Sequence, residues 1–311
     1  MQHNQIPNTD LKVSCITLGT WVFGGDVWGG SKEKESIDAV IAAMDHGINF
    51  IDTAPIYGNG LSETIIGKAL RRKRDKVILA TKCGLSVKGK QVSTDLSPES
   101  ILKEIDASQL RLNVDYIDLY QCHWPDPNTP IEKTMETLVK LKERKKIRHI
   151  GVSNFDKKLL DKTLQCAKIV TLQNQYSMLE RSIEEEILPF CTERQVGVIC
   201  YGPLAGGILS GKYKEEPKFK GGDARSFFYK FYQGNAFKKT EKLLSRLSEI
   251  KRPPHEIAIN WLRRQKGVTS VITGCRNVQQ VEANAKATNW DLTDGELEFI
   301  NDVLNDKSLC I

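Results

Sequence analysis

Eight short β-rich runs alternate along this chain with amphipathic helical stretches, the pattern of repeated βα units around a parallel sheet. The runs are Cys15–Leu18, Asn49–Thr53, Val77–Thr81, Ile117–Gln121, Ile147–Val152, Thr171–Gln173, Val198–Tyr201 and Ser270–Thr273. Helix starts support the count. Ser97-Pro98 puts proline at a first helical position, and Thr129-Pro-Ile-Glu132 and Ser182-Ile-Glu-Glu185 read as capping boxes. A chain of 311 residues exceeds a typical single domain, yet a (β/α)8 barrel holds that many around one core. No low-complexity or Pro/Ser-rich linker divides the sequence, so one domain spanning 1–311 is expected.

No stretch approaches the roughly 18 apolar residues that a membrane helix needs, and no apolar run follows the opening Met-Gln-His-Asn. A soluble, unprocessed, cytoplasmic protein is expected. The eight cysteines, Cys15, Cys83, Cys122, Cys166, Cys191, Cys200, Cys275 and Cys310, show neither Cys-x-x-Cys nor zinc-ligand spacing, which predicts reduced thiols used as small apolar residues and no metal site. Cys83 and Cys122 adjoin Lys82 and His123, but strand alternation sends Cys122 to the face opposite His123. The net charge of +6 is modest. Its basic clusters, Arg71–Arg74 and Lys140–Lys146, fall at predicted helix ends, where cations complement the helix dipole. No basic face interleaved with aromatics points to nucleic acid.

Asp52, Tyr57, Lys82 and His123 each fall at or just past the C-terminal end of a predicted strand, the end where barrel enzymes carry their chemistry. Together they compose a proton-donor site. A phenol titrates near about pH 10 and is a poor acid unless a cation favours its phenolate. Lys82 can supply that cation, and Asp52 alongside would keep a buried lysine charged. His123 can hydrogen-bond a carbonyl oxygen or share the proton relay. Each residue alone has a plainer reading as a cap, a solvated charge or a packed histidine; four in order on successive strand ends favour carbonyl reduction.

The block Asp52-Thr-Ala-Pro-Ile-Tyr57-Gly, with Val77-Ile-Leu-Ala-Thr-Lys82 and Ile117-Asp-Leu-Tyr-Gln-Cys-His123, resembles the aldo-keto reductases over nearly the whole chain. The resemblance implies that Asp52, Tyr57, Lys82 and His123 form a catalytic tetrad with Tyr57 as general acid. It also implies that the Asn4–Val13 segment, with its Pro7-Asn8 turn signal, forms a hairpin closing the barrel bottom.

For the cofactor, Tyr201-Gly-Pro-Leu-Ala-Gly-Gly-Ile-Leu-Ser-Gly-Lys212 follows the seventh strand, where small residues let backbone N–H groups approach a pyrophosphate. It matches neither a Rossmann nor a Walker fingerprint. The resemblance implies that Gly202, Pro203, Leu204, Gly206, Leu209 and Lys212 hold the pyrophosphate. Gly19, Thr20, Trp21 and Gly274 are implied to line the same groove. After the eighth strand, Arg276 is implied to meet a ribose 2′-phosphate, and Gln280 and Asn284 the adenine end; Arg276 therefore favours NADP(H) over NAD(H). Thr273 stands where the family usually has proline, and Ala283 where an acidic adenine contact is common. Ser153, Asn154 and Gln173 are implied to bind the carboxamide, with Tyr201 stacked on the nicotinamide ring. Ser153 and Asn154 also read as a helix cap.

Trp21, Trp28 and Trp124 fall in loops at the same face, and the long Gly206–Ala236 segment carries Arg225 and the run Phe227-Phe-Tyr-Lys-Phe-Tyr232. With Tyr57 and His123 these would wall a mouth for a small carbonyl or alcohol, with Arg225 as an anion or cofactor contact; loop packing explains the aromatic run equally well. A redox-sensing regulatory subunit with slow turnover is the rival reading, because the potassium-channel beta subunits carry a similar Tyr-Gly-Pro-Leu-Ala-Gly-Gly block. The chain has no long N-terminal inactivation-type extension, which favours an enzyme. A cofactor-free barrel hydrolase or isomerase would need paired carboxylates or a metal cluster. The oligomeric state is not legible.

Overall fold

The computed structural model describes residues 1–25, 28–30, 32–88, 91–306 and 308–309; Cys310 lies outside the described residues. An antiparallel pair, β1 (His3–Gln5) and β2 (Lys12–Ser14), comes first. The barrel begins with β3 (Ile16–Gly19), α1 (Glu33–Asp45), β4 (Phe50–Asp52), α2 (Leu61–Ala69) and β5 (Ile78–Cys83). A second antiparallel hairpin, β6 (Leu85–Lys88) and β7 (Gln91–Thr94), intervenes before α3 (Pro98–Leu112). Then come β8 (Ile117–Cys122), α4 (Ile131–Glu143), β9 (Ile147–Ser153), α5 (Lys157–Cys166), β10 (Ile169–Gln175), α6 (Ile187–Glu193) and β11 (Gly197–Tyr201). The chain ends with α7 (Ala224–Phe228), α8 (Gly234–Leu247), α9 (Pro254–Arg263), β12 (Val268–Gly274), α10 (Val278–Lys286) and α11 (Asp294–Asn305).

Eight strands, β3-β4-β5-β8-β9-β10-β11-β12, close into a parallel barrel, β12 pairing back onto β3 through Val271↔Ile16 to Gly274↔Gly19. They are the eight runs expected from the sequence, with ends shifted by at most two residues. The fully buried strands carry apolar residues on both faces, because helices cover the outside and side chains fill the inside. Ile6, Leu11 and Val13 of the first hairpin pack on Phe50, Ala80, Leu119, Val170 and Ile199 from inside the barrel. That hairpin therefore plugs the bottom, leaving the opposite rim open for loops.

Ser97 caps α3 as expected, accepting from the Ser100 N–H with Pro98 at the first helical position. Two expected capping boxes do not form. Thr129 donates its hydroxyl to Asp126 (2.7 Å) and so closes the preceding turn, while Pro130 occupies the N-cap of α4. The stretch from Ser182 to Glu185 is a series of turns, and α6 begins only at Ile187, with Glu186 at its N-cap. The capping box that does form is Thr293 with Glu296 on α11. The segment from Gly206 to Ala236 is not a plain loop, since it holds α7, a 3-10 turn over Lys230–Tyr232 and the start of α8.

Helix α3 carries a half-buried acid. Glu104 accepts from the Gly84 N–H (3.0 Å) and the Ser100 hydroxyl (3.2 Å), while its second oxygen is buried without a hydrogen-bond partner. Burial pushes this carboxyl up to about 7. Because the folded-state value lies above the unfolded one, its contribution to stability is complete below the unfolded pKa and is lost as pH rises towards about 7. Glu104→Gln should remove that slope and leave the variant more stable than wild type at pH about 8, by at most about 3 kcal/mol. Urea midpoints at pH about 5 and about 8 measure it; parallel pH dependence in the two proteins would refute the assignment.

Candidate active site

The four residues singled out from the sequence converge at the open rim. Asp52 ends β4, Lys82 lies on β5, His123 follows β8, and Tyr57 sits in the turn between β4 and α2. Neighbouring strands set the spacing, with Asp52 paired to Ala80 and Lys82 to Gln121. Lys82, fully buried, donates to Asp52 Oδ2 (2.7 Å), the Thr53 carbonyl (3.0 Å) and the Tyr57 hydroxyl (3.2 Å). The His123 ring meets the Tyr57 ring edge-on, with centroids 5.9 Å apart.

The electrostatics correct one expectation. Burial, reinforced by the Asp52 carboxylate, holds the Tyr57 hydroxyl well above its usual value, so Lys82 does not make it acidic at rest. Burial pulls Lys82 down while Asp52 opposes the fall. His123 is pushed well below its ordinary range by burial and then by Lys82, which keeps the imidazole neutral. The resting site therefore holds a protonated phenol, a neutral imidazole and a lysine positioned to favour a phenolate as it forms.

Two glutamines complete the shell around Asp52. Gln173 donates to Asp52 Oδ1 at 2.8 Å and Gln121 to the same oxygen at 3.3 Å. The sequence reading passed over Gln121, although period-two alternation sets it on the same strand face as His123.

At the neighbouring rim, Asn154 takes a left-handed conformation (φ 60°). Its amide donates to the His123 carbonyl (3.0 Å) and accepts from the Tyr201 hydroxyl (2.9 Å). Ser153 donates to the Gln173 carbonyl (2.8 Å). Neither caps a helix: Asp156 caps α5 by accepting from the Leu159 N–H. Thr20 is bound into a buried network, donating to the Asp52 carbonyl (2.9 Å) and accepting from Ser62 (2.9 Å). Gly19 and Gly274 pair across β3 and β12, and a Cβ on Gly19 would meet Ile272 at 2.5 Å.

Beyond β11, Gly202, Pro203 and Leu204 turn the chain outwards into a 3-10 segment with Leu209 buried. Gly206 has φ 73°, and a Cβ there would lie 2.7 Å from the Tyr229 ring, so glycine is required on both counts. Lys212 lies over the Tyr213 ring, 4.8 Å from its centroid. Arg276 donates to the Trp28 carbonyl through its guanidinium and to Gln280 Oε1 through its backbone N–H. Asn284 is buried and donates to the Cys275 sulfur (3.2 Å). Among the described residues, neither Lys212 nor Arg276 is ion-paired with a carboxylate. Two cations without a carboxylate at ion-pair distance, Arg276 having Asp223 only as a more distant counter-charge, lie on the loops after the seventh and eighth barrel strands, a placement that suits a phosphorylated nucleotide.

The mouth is aromatic. Trp21 stacks on Tyr57 (6.0 Å) and meets Trp28 (5.1 Å) and Phe228 (5.5 Å) edge-on. Trp124 is exposed nearby in sequence to His123. The aromatic run divides its duties: Tyr229, Phe231 and Tyr232 are buried as packing, Phe227 is exposed, and Phe228 reaches the mouth. Arg225 is already engaged, forked onto Asp223 (2.8 and 2.5 Å) and bonded to the Tyr213 hydroxyl (3.1 Å).

Behind the site, a hydrogen bond with Cys122 and then burial hold the Cys83 thiol well above its usual range, against reactivity. Among the described residues no His, Cys, Asp and Glu cluster could hold a metal ion, and no helix is long and apolar enough to cross a membrane.

Comparison with known proteins agrees with this geometry. The Aldo/keto reductase family model matches residues 15–305. Aldo-keto reductase YhdN of Bacillus subtilis (strain 168) is 40% identical, over 98% of this chain and 94% of its own length. NADH-specific methylglyoxal reductase of Escherichia coli (strain K12) is 35% identical, over 97% and 98%. The structure of glycerol dehydrogenase AKR11B4 from Gluconobacter oxydans superposes with a TM-score of 0.90 at 38% identity, covering 97% of this chain and 95% of that one. With a closed eight-stranded barrel and a Tyr, Lys, Asp and His gathered at its rim, the chain belongs to the aldo/keto reductase family, whose members use nicotinamide cofactors.

Proposed function

We propose that this protein reduces a small aldehyde or ketone to the alcohol with NADPH, reversibly, and that Tyr57 gives the proton. The observation that carries the reading is the contact of Lys82 Nζ with both the Tyr57 hydroxyl (3.2 Å) and Asp52 (2.7 Å) inside an aromatic mouth. When bound, the nicotinamide supplies the hydride. Tyr57 holds its proton at neutral pH and releases it to the carbonyl oxygen as negative charge develops there. Lys82, kept in place by Asp52 and the Thr53 carbonyl, stabilises the phenolate left behind. Neutral His123 donates a hydrogen bond to the same substrate oxygen. Ser153, Asn154 and Gln173 would hold the carboxamide and Tyr201 would back the ring of a bound nicotinamide, orienting the hydride donor for the carbonyl carbon. Trp21, Trp28 and Phe228, with Trp124 at the edge, receive the rest of the substrate.

Arg276 supports NADPH. A second reading, NADH, has a specific observation in its favour, since the E. coli relative is NADH-specific. Consumption of NADPH and NADH against a library of aldehydes and ketones tests the proposal. Multiple turnovers with one carbonyl class support an enzyme, whereas tight cofactor binding with negligible steady-state turnover on every carbonyl would favour the regulatory reading. Lys82→Met should lower reductive turnover by about 10²–10⁴-fold, because the departing proton then leaves an unsupported phenolate. Single-turnover rates at saturating cofactor measure this, and an unchanged rate would assign the cation's role elsewhere.

A further inference from the structure

The wall of the barrel beside Asp52 carries a polar pair that a purely apolar interior would not need. Gln121 and Gln173 are both buried, on β8 and β10, with β9 between them. The intervening residue in register with Gln121 is Gly151. A Cβ there would stand 3.0 Å from Gln121 Cγ and 2.4 Å from Thr171 Oγ1, so the glycine clears the space through which Gln121 crosses. On the far side, the Gln173 Nε2 group meets two acceptors, Asp52 Oδ1 at 2.8 Å and Gln121 Oε1 at 3.4 Å. Gln121 in turn spends its own Nε2 on Asp52 Oδ1 (3.3 Å), which leaves its carbonyl oxygen directed at Gln173.

We infer that Gln121 is a positioning residue for the nicotinamide: with Asp52 it fixes the Gln173 amide with its NH2 end inwards and its carbonyl oxygen towards the cofactor. An amide is nearly symmetric in shape, so packing alone does not choose its orientation; hydrogen-bond partners do. A carboxylate and a carbonyl oxygen can only accept, and both demand the NH2 end of Gln173. The oxygen turned outwards is an acceptor, complementary to the N–H2 of a carboxamide and not to its carbonyl. The pair therefore selects one rotamer of the carboxamide. This inference rests on the nicotinamide-binding reading above.

The test compares binding of NADP+ and its 3-acetylpyridine analogue, in which a methyl group replaces the carboxamide N–H2, by quenching of protein fluorescence. Wild type should prefer NADP+ by about five- to tenfold, the worth of one buried hydrogen bond. Gln121→Met keeps the side-chain volume and removes the acceptor, and should reduce that preference to about twofold, mainly through weaker NADP+ binding. Gln173→Met should abolish the preference, and Gln121→Leu, which likewise lacks the acceptor, repeats the test if Gln121→Met does not fold. A merely structural role for Gln121 would weaken both ligands in parallel. Parallel loss, or a wild type without preference, overturns the inference while leaving nucleotide binding intact; failure of wild type to bind either nucleotide overturns the cofactor reading as well.

Discussion

Tyr57→Phe is expected to lower the turnover of carbonyl reduction by about 10²–10⁴-fold, the usual worth of a positioned general acid, with NADPH affinity almost unchanged. The substitution keeps the ring that packs against Trp21 and His123 and removes only the hydroxyl that Lys82 reaches at 3.2 Å. Stability should change little for the same reason. Pre-steady-state reduction with saturating cofactor isolates the chemical step. Turnover near that of wild type would eliminate Tyr57 as the donor and leave His123 as the next proton carrier. Because burial and Asp52 hold the phenol above its usual value, the wild-type enzyme keeps its acid form throughout neutral pH. On this reading the lysine would act on the phenolate as it appears, which is where a catalytic interaction lowers a barrier.

Arg276→Ala is expected to weaken NADPH by about 1.5–3 kcal/mol and to leave NADH nearly untouched, the range for a hydrogen bond to a charged group. Burial, and then the nearby charge of Arg225, disfavour the Arg276 cation in the free protein, so a phosphate dianion there would relieve an existing cost. With Ala283 unable to supply an acidic contact to the adenine, discrimination in an NADPH enzyme would fall largely on this phosphate grip. Added salt should therefore weaken NADPH more than NADH. Titration of both nucleotides at two ionic strengths measures the effect. Equal losses for the two in the variant would mean that Arg276 serves chiefly to hold the Trp28 carbonyl, and would favour the NADH reading suggested by the E. coli relative.

The periodicity that announced the eight barrel strands comes from burial on two sides, which forces apolar residues onto both faces of each strand; local sequence carries that constraint, so the strand count and order were legible. The convergence of Asp52, Tyr57, Lys82 and His123 was legible for a related reason, since each follows a strand whose C-terminal end must point to the same rim. Helix starts were less secure. Thr129 and Ser182 have the composition of N-caps, but the Thr129 hydroxyl closes the preceding turn and Ser182 lies in a run of turns, whereas Ser97 and Thr293 do cap a helix N-terminus. Sequence also could not apportion the aromatic run, because Phe228 at the mouth and Tyr229 beneath it differ by one residue along the chain and by a tertiary contact in space.

What the amino-acid order determined by itself was the barrel, the rim at which the candidate site lies and the four side chains that meet there. Tertiary structure alone decided their charge states and their supports. The resting phenol is held up by burial and a carboxylate, not lowered by its lysine, because desolvation depends on everything that closes over a group. Likewise Gln121, a buried amide on a strand that also buries Asp118, acquires a role only where Gly151 opens a path to Gln173 and Asp52, residues 52 and 69 positions away in the chain, a juxtaposition that no local pattern encodes.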